Sequence, residues 1–292
     1  MKFALFGQYY QNSTETTVLK VIAFFIENNC EVVIEENFYK LIASFLPKKF
    51  SVFSNHTELD ASFTAFVSIG GDGTILRAVT YVRDKNIPIV GINTGRLGFL
   101  ATVQLDNIEP LLTKVIAKEY SISKRSLITL RCEPKNPDLA DLNFALNEIT
   151  VSRKETTSMI TIETYLNQEY LTSYWADGLI LATPTGSTGY SLSCGGPIVT
   201  PSVNSFIINP IAPHNLNARP LVITDDTEIS LKISGREDAF LVSLDSRITS
   251  VNNQTTLYIK KASFYINLIE FKEEDFSKTI RKKLLWGEDK RN

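Results

Sequence analysis

Cysteine and histidine are scarce in this chain of 292 residues. It has three cysteines, Cys30, Cys132 and Cys194, and two histidines, His56 and His214. The cysteines are far apart and form no C-x-x-C pair. That argues against a disulfide framework and a zinc site and suits a reducing compartment. No run approaches the roughly 18 apolar residues of a membrane span. The N-terminal MKFALFGQYY has neither the apolar region nor the small-residue cleavage site of a secretory signal. Excess charge is missing too: 30 Lys and Arg stand against 32 Asp and Glu, a net charge of −2. Surfaces for nucleic acid or anionic membranes are usually more basic. The expectation is a cytoplasmic protein with neither nucleic acid nor membrane as partner.

What is present is ordinary globular material, 43% hydrophobic and 21% charged residues, enough for a real core in one large domain or two ordinary ones. Up to about residue 119, short apolar runs alternate with helical patterns. KFALFG, EVVIEE, FTAFVSI and IPIVGI read as strands. TETTVLKVIAFFIENN reads as a helix with Val18, Leu19, Ile22, Phe25 and Ile26 on one face. FYKLIASFL, TILRAVTYVRD and IEPLLTKVIAKEY read as further helices. Such alternation predicts a parallel sheet with helices on both faces, a Rossmann-like α/β domain. From Tyr120 to about residue 265 the runs are strand-like (ALNEITVSR, SMITIETYL, EISLKISG, AFLVSLDS, TTLYIKKA), which predicts an all-β sandwich domain. The strand-like runs continue to FYINLIEF; the last segment, EEDFSKTIRKKLLWGEDKRN, is helical again, and residues 266–292 are expected to pack back on the first domain.

Four segments point to chemistry. GGDGT, Gly70 to Thr74, joins a strand to a helix. Its glycines allow a ligand close to the backbone, and the helix start offers free N–H groups. It fits neither the Rossmann nor the Walker pattern. The plainer reading makes Asp72 a helix N-cap. PIVGINTGRLGFL, residues 88–100, is a second glycine-rich loop; two such loops at neighbouring strand ends make a crevice, although alone this one reads as a structural turn. DGLILATPTGSTGYSLSCGGPI, residues 177–198, carries seven hydroxyl side chains and five glycines. It reads as a loop wrapping a polar ligand, with Tyr190 free to stack or hydrogen-bond; a flexible surface loop is the alternative. In ALNEIT, Asn147 and Glu148 interrupt an apolar strand, so one of them faces the core unless the strand ends there in solvent.

Together GGDGT, NE at 147–148, DGLILATPTGSTGYSLS, the GGPI after it and APHNLNARPLV at 212–222 resemble the NAD kinase family in order and separation. GGDGT alone is not specific, because diacylglycerol and sphingosine kinases share it; the combination with TPTGSTGYSLS is. The resemblance implies NAD in a cleft between an α/β domain and a β-sandwich. It also implies transfer of a phosphoryl group from ATP to the 2′-hydroxyl of the adenosine ribose of NAD, a divalent cation (Mg2+ or Mn2+), and a homo-oligomer, dimer or tetramer. Asp72 becomes the general base, with metal binding as an alternative role, and Gly70, Gly71, Gly73 and Thr74 line the substrate. Arg77 reaches a phosphate. Asn147 and Glu148 contact the adenosine half. Asp177, Thr185, Thr188, Gly189, Tyr190, Ser191, Leu192, Ser193 and Ala212 line the dinucleotide site.

Two positions depart from the family pattern. Trp175 replaces a basic or small residue and bears on the choice between NAD and NADH. In LDSR, residues 244–247, Arg247 replaces a common glutamine next to the substrate. Two other functions share parts of the pattern. A lipid kinase would need an acyl-chain pocket where residues 177–193 are polar. A non-catalytic dinucleotide sensor would leave Asp72 without a task.

Overall fold

The structure, a computed structural model, describes residues 1–8, 12–95, 98–101, 103–104, 107–155, 158–272 and 275–286. The chain forms two units, residues 1–124 with 266–292, and residues 125–265.

In the first unit the elements run β1 (Lys2–Gly7), α1 (Asn12–Glu27), β2 (Glu31–Glu35), α2 (Glu36–Ile42), β3 (Ser51–Phe53), β4 (Ala65–Ile69), α3 (Asp72–Val82), β5 (Ile89–Ile92) and α4 (Ile108–Ala117). The strands form a parallel sheet in the order β5-β4-β1-β2-β3. Pairing runs from Phe3 opposite Ala65 to Gly7 opposite Ile69, which sets the ends of β1, β4 and β5 side by side. Both faces are buried, so the strands read as continuous apolar runs. Phe3 and Leu5 belong to a cluster with Val18, Ile22 and Phe25 of α1 and Leu112 and Val115 of α4. Phe6 and Phe66 meet Phe53 and Tyr81 of α3 in an aromatic cluster. On α1 the buried stripe differs from the expected one. Leu19 is exposed, and Val21 and Phe24 are buried in its place, because the buried arc is turned toward Thr14, Thr17, Val21 and Phe24 and away from Leu19.

The second unit is antiparallel. It holds β6 (Ser121–Glu133), β7 (Phe144–Ala145), β8 (Glu148–Ser152), β9 (Ile160–Leu166), β10 (Glu169–Ala176), β11 (Gly178–Ala182), α5 (Tyr190–Ser193), β12 (Ser205–Ile211), β13 (Leu221–Thr224), β14 (Ile229–Ser234), β15 (Ala239–Leu244), β16 (Arg247–Asn252) and the long β17 (Thr256–Glu270). One sheet runs β13-β12-β11-β8-β15-β16. Opposite it β10, β9, β14 and the first part of β17 pair in turn. The sandwich core between them includes Ile149, Val151, Leu179, Phe206, Phe240 and Val242 from one sheet and Ile162, Leu231, Leu257 and Ile259 from the other.

The end of β17 pairs with β5, Leu268 opposite Ile89, within the first unit. α6 (Phe276–Leu284) follows, capped by Asp275 accepting from the Lys278 N–H. Lys283 of α6 lies over the Phe99 ring, 5.6 Å from its centre. The C-terminal helix thus returns to the first domain, as expected from sequence. Among the described residues no helix is long and apolar enough to cross a membrane, and all three cysteines are free.

Candidate active site

In the first unit, β4 ends in GGDGT. Gly70 has φ of +152°, and a Cβ there would lie 2.9 Å from Cβ of Thr74, so only glycine makes this turn. A Cβ on Gly71 or Gly73 would meet nothing within 4 Å. The protein's own packing therefore does not require glycine at those two places. Arg77 is exposed one turn into α3.

Asp72 is not an N-cap. Gly71 holds the cap position with no side-chain bond, and Asp72 is the first residue of α3. Its carboxylate instead reaches the second glycine-rich loop. Oδ2 accepts the Phe99 N–H at 2.7 Å, and Oδ1 accepts those of Leu100 and Ala101, both at 2.9 Å. Three charge-assisted bonds fix the group. A carboxylate offers about four acceptor sites, so one remains, on Oδ2. The loop is held from its other end by Asn93, whose amide donates to the Ala101 carbonyl and whose Oδ1 accepts from Gly95. Arg96 and Leu97 of this loop lie outside the described residues.

In the second unit, the NE pair sits where β7 gives way to β8. Here Asp245, in the β15–β16 hairpin with φ of +53°, repeats the same arrangement. Its Oδ2 accepts the Leu146 N–H at 2.9 Å, and its Oδ1 those of Asn147 at 2.8 Å and Glu148 at 3.2 Å. Glu148 is buried rather than solvated at a strand end. Burial first, then the charge of Asp245, pushes its pKa up to about 8, against the pull of the Tyr190 N–H that donates to it. Oε2 of Glu148 and Oδ1 of Asn147 are buried without a hydrogen-bond partner. Buried polar atoms are normally paired, so these two oxygens are able to bind a ligand's donors.

Residues 177–198 are not a flexible loop. Residues 178–182 are the buried strand β11, and helical turns follow at Thr185–Thr188 and in α5. Several hydroxyls serve the protein itself. Thr183 donates to the Leu146 carbonyl at 2.6 Å, Ser187 to Pro184 and Thr188 to Thr185, while Ser191 accepts from Asn209. The Asn147 carbonyl accepts from the Thr183 N–H, and a Cβ on Gly186 would come within 2.5 Å of that carbonyl carbon. The turn and the NE segment are thereby locked together. Thr185 is buried beside Arg125, whose guanidinium lies 3.5 Å from its hydroxyl. Gly189 lies against Glu148. Leu192 is partly buried, Ser193 is exposed, and Tyr190 is 46% exposed. The Tyr190 hydroxyl is pushed up by burial and then by Cys194, Asp177 and Glu148 around it.

Asp177 is paired with Arg153 at 3.0 Å. Ala212 holds a left-handed φ of +43°, a strained choice for alanine of the kind that clusters at functional sites. Trp175 is 47% exposed, and its ring rests on His214, centroids 4.3 Å apart. Arg247 donates to the carbonyls of Leu142 and Phe144. Sequence reasoning missed the role of Asp245 and of residues 98–101. Its eye was on Arg247 in LDSR, and a backbone partner leaves no mark in residue type. Among the described residues no group of three or more His, Cys, Asp and Glu side chains is placed to hold a metal ion.

Comparison with known proteins supplies the family. Residues 3–120 match the ATP-NAD kinase N-terminal domain and residues 146–271 the ATP-NAD kinase C-terminal domain. The chain belongs to the ATP-NAD kinase family. An NAD kinase of Flavobacterium psychrophilum is 63% identical over 294 residues, covering all of both chains. Among solved structures, an NAD kinase from Archaeoglobus fulgidus in complex with ATP is 27% identical with a TM-score of 0.74, covering 94% of this chain and 95% of its own. Yeast NADH kinase complexed with NADH has a TM-score of 0.89 at 22% identity, covering 98% of this chain and 88% of that one; at this identity the likeness establishes the fold. Full-length family membership leaves the lipid-kinase and sensor readings without support.

Proposed function

We propose that this enzyme transfers the terminal phosphoryl group of ATP to the 2′-hydroxyl of the adenosine ribose of NAD, giving NADP and ADP, with Asp72 as the base. ATP-dependent phosphorylation of NAD is the family's activity. The residue-level reading rests on one observation above all, the single acceptor site left on Asp72 Oδ2 beside the open positions at Gly71 and Gly73.

In the step, the ribose 2′-oxygen attacks the terminal phosphorus of the donor. The O–H bond breaks and its proton passes to Asp72 Oδ2; the new O–P bond forms as the bond from that phosphorus to the bridging oxygen breaks, and ADP leaves. Gly70, Gly71, Gly73 and Thr74 give the phosphates access to backbone at the start of α3, and Arg77 supplies positive charge one turn on.

The adenosine half is held by Asn147 and Glu148, through Oδ1 and Oε2. Burial and the Asp245 charge raise the pKa of Glu148 to about 8, which favours the protonated acid, a form that can donate as well as accept. Asp177, Thr185, Thr188–Ser193 and Ala212 complete the dinucleotide contacts. Arg247 supports them through the carbonyls it holds.

The divalent cation, Mg2+ or Mn2+, belongs to this reading as part of the donor. Asp72 has one acceptor site free, so it can serve the hydroxyl or a metal, not both; a cation carried in by the donor's phosphates fits these residues better than a resident one. Bound with the donor, it would neutralise charge on the phosphates. A cytoplasmic homo-oligomer completes the reading.

The test is a coupled assay of NADP formation from NAD across phosphoryl donors, with and without excess EDTA. NADP should form with ATP and vanish when the cation is chelated. Undiminished turnover in EDTA would refute the metal-dependent part, and no NADP with any donor would refute the whole.

A further inference from the structure

The loop that follows β5 has more contact with Asp72 than a connecting turn requires. Three consecutive backbone N–H groups, from Phe99, Leu100 and Ala101, converge on one carboxylate. The loop's far end is fixed independently. Asn93 holds the Ala101 carbonyl, Val103 donates to Gly91, and Ile92 pairs with Val103 in a parallel bridge. Leu100 and Ala101 are buried. The amides are thus held by the sheet, and the side chain of Asp72 is held by the amides.

Gly98 makes the arrangement possible. A Cβ added there would overlap Oδ1 of Asp72 and come within 2.5 Å of its Cγ. The space that a methyl group would fill is occupied by the carboxylate.

We propose that Gly98 and the amides of Phe99, Leu100 and Ala101 form a cradle that orients Asp72 for the transfer, with Gly98 as a positioning residue whose missing side chain leaves Oδ2 aimed at the substrate hydroxyl. The proposal rests on Asp72 being the base. A carboxylate free to rotate would present either oxygen, or neither, to the 2′-hydroxyl. Held as it is, it presents one acceptor site in one direction. Misplacement of a reacting group by about 1 Å can cost on the order of 10²-fold in rate. The residues proposed to hold the adenosine belong to the other unit.

The experiment pairs kinetics with amide hydrogen exchange. In Gly98→Ala, kcat should fall about 10²-fold with the KM for NAD within about threefold, because the methyl displaces the carboxylate but leaves NAD binding alone. A purely structural role would raise KM and lower kcat together. In the wild-type protein the amides of Phe99, Leu100 and Ala101 should exchange slowly, and in Asp72→Asn they should exchange much faster, since the carboxamide cannot accept from all three. That second measurement stands even if Gly98→Ala fails to fold. Equal exchange in wild type and Asp72→Asn, or a Gly98→Ala enzyme with unchanged kcat, would overturn the cradle. Full activity in Asp72→Ala would instead remove the base itself, a separate failure from that of its positioning.

Discussion

Asp72 and Asp245 solve one problem in two units of the molecule. Each carboxylate accepts three consecutive backbone N–H groups, the first on Oδ2 and the next two on Oδ1. What differs is the surroundings. Asp72 starts a helix and has glycines with open space on either side. Asp245 lies in a hairpin, beside Arg247 and a second carboxyl, Glu148, and burial is the largest influence on it, raising its pKa. The same hydrogen bonds therefore leave one carboxylate beside open space and the other buried in a hairpin. On the proposed function, the first is a reagent and the second a strut.

The largest expected effect comes from Asp72→Asn. It should lower kcat about 10²–10⁴-fold, or roughly 3–5 kcal/mol. It should also lower the melting temperature, because a carboxamide accepts at one oxygen and turns an NH₂ toward a backbone donor. A variant that loses stability but keeps kcat would make Asp72 a strut like Asp245 and collapse the contrast.

Asp245→Asn should do the reverse. Disrupting the amide triad that shapes residues 146–148 should cost about 1–3 kcal/mol of stability, read by denaturant unfolding. It should raise the KM for NAD and leave kcat within about threefold. A fall in kcat matching that of Asp72→Asn would erase the distinction.

The pH dependence of stability sharpens the picture of the second unit. Glu148 has a folded pKa of about 8 against an ordinary value of 4.5. The folded state then holds a proton that the unfolded chain has released, so stability should fall as pH rises from about 4.5 and level off above about 8. Glu148→Gln should flatten that decline. Asp245→Asn should move its end to lower pH by removing the neighbouring charge. An unchanged slope in Glu148→Gln would mean that the carboxyl ionises normally when buried.

The smallest effect is expected at Trp175. Nicotinamide is cationic in NAD and neutral in NADH, and an exposed indole can stack on the cation. Trp175→Arg should therefore shift the NAD to NADH ratio of kcat/KM toward NADH, by less than about tenfold. If the ratio holds, the indole serves only its contact with His214.

Much of the architecture was legible because both units obey simple periods. The apolar runs of β1, β4 and β5 are continuous, as a sheet covered on both faces requires, and β14 and β15 alternate. In residues 177–198 the strand β11 and the helical turns after it were hidden, because glycine and hydroxyl side chains are as useful to a tightly hydrogen-bonded turn as to a ligand loop. Thr183 and Ser187 bond to carbonyls of the protein, which composition does not reveal. The N-cap alternative for Asp72 failed for a related reason. Its partners are main-chain groups 27 to 29 residues away, and main-chain groups are the same in every sequence. Glu148 was visible as a polar residue in an apolar strand; the Asp245 charge beside it came only with the fold.

The long strand β17 bears on the order in which the chain can be assembled. Its first residues pair with β14 in the second unit, and Leu268 near its end pairs with Ile89 in the first. On a ribosome, residues 125–265 emerge as one uninterrupted stretch and can complete their sandwich as a unit. The sheet of the first unit gains its strand beside β5 only once residues after the sandwich have been made. The unit that carries Asp72 is therefore begun before the sandwich and completed after it.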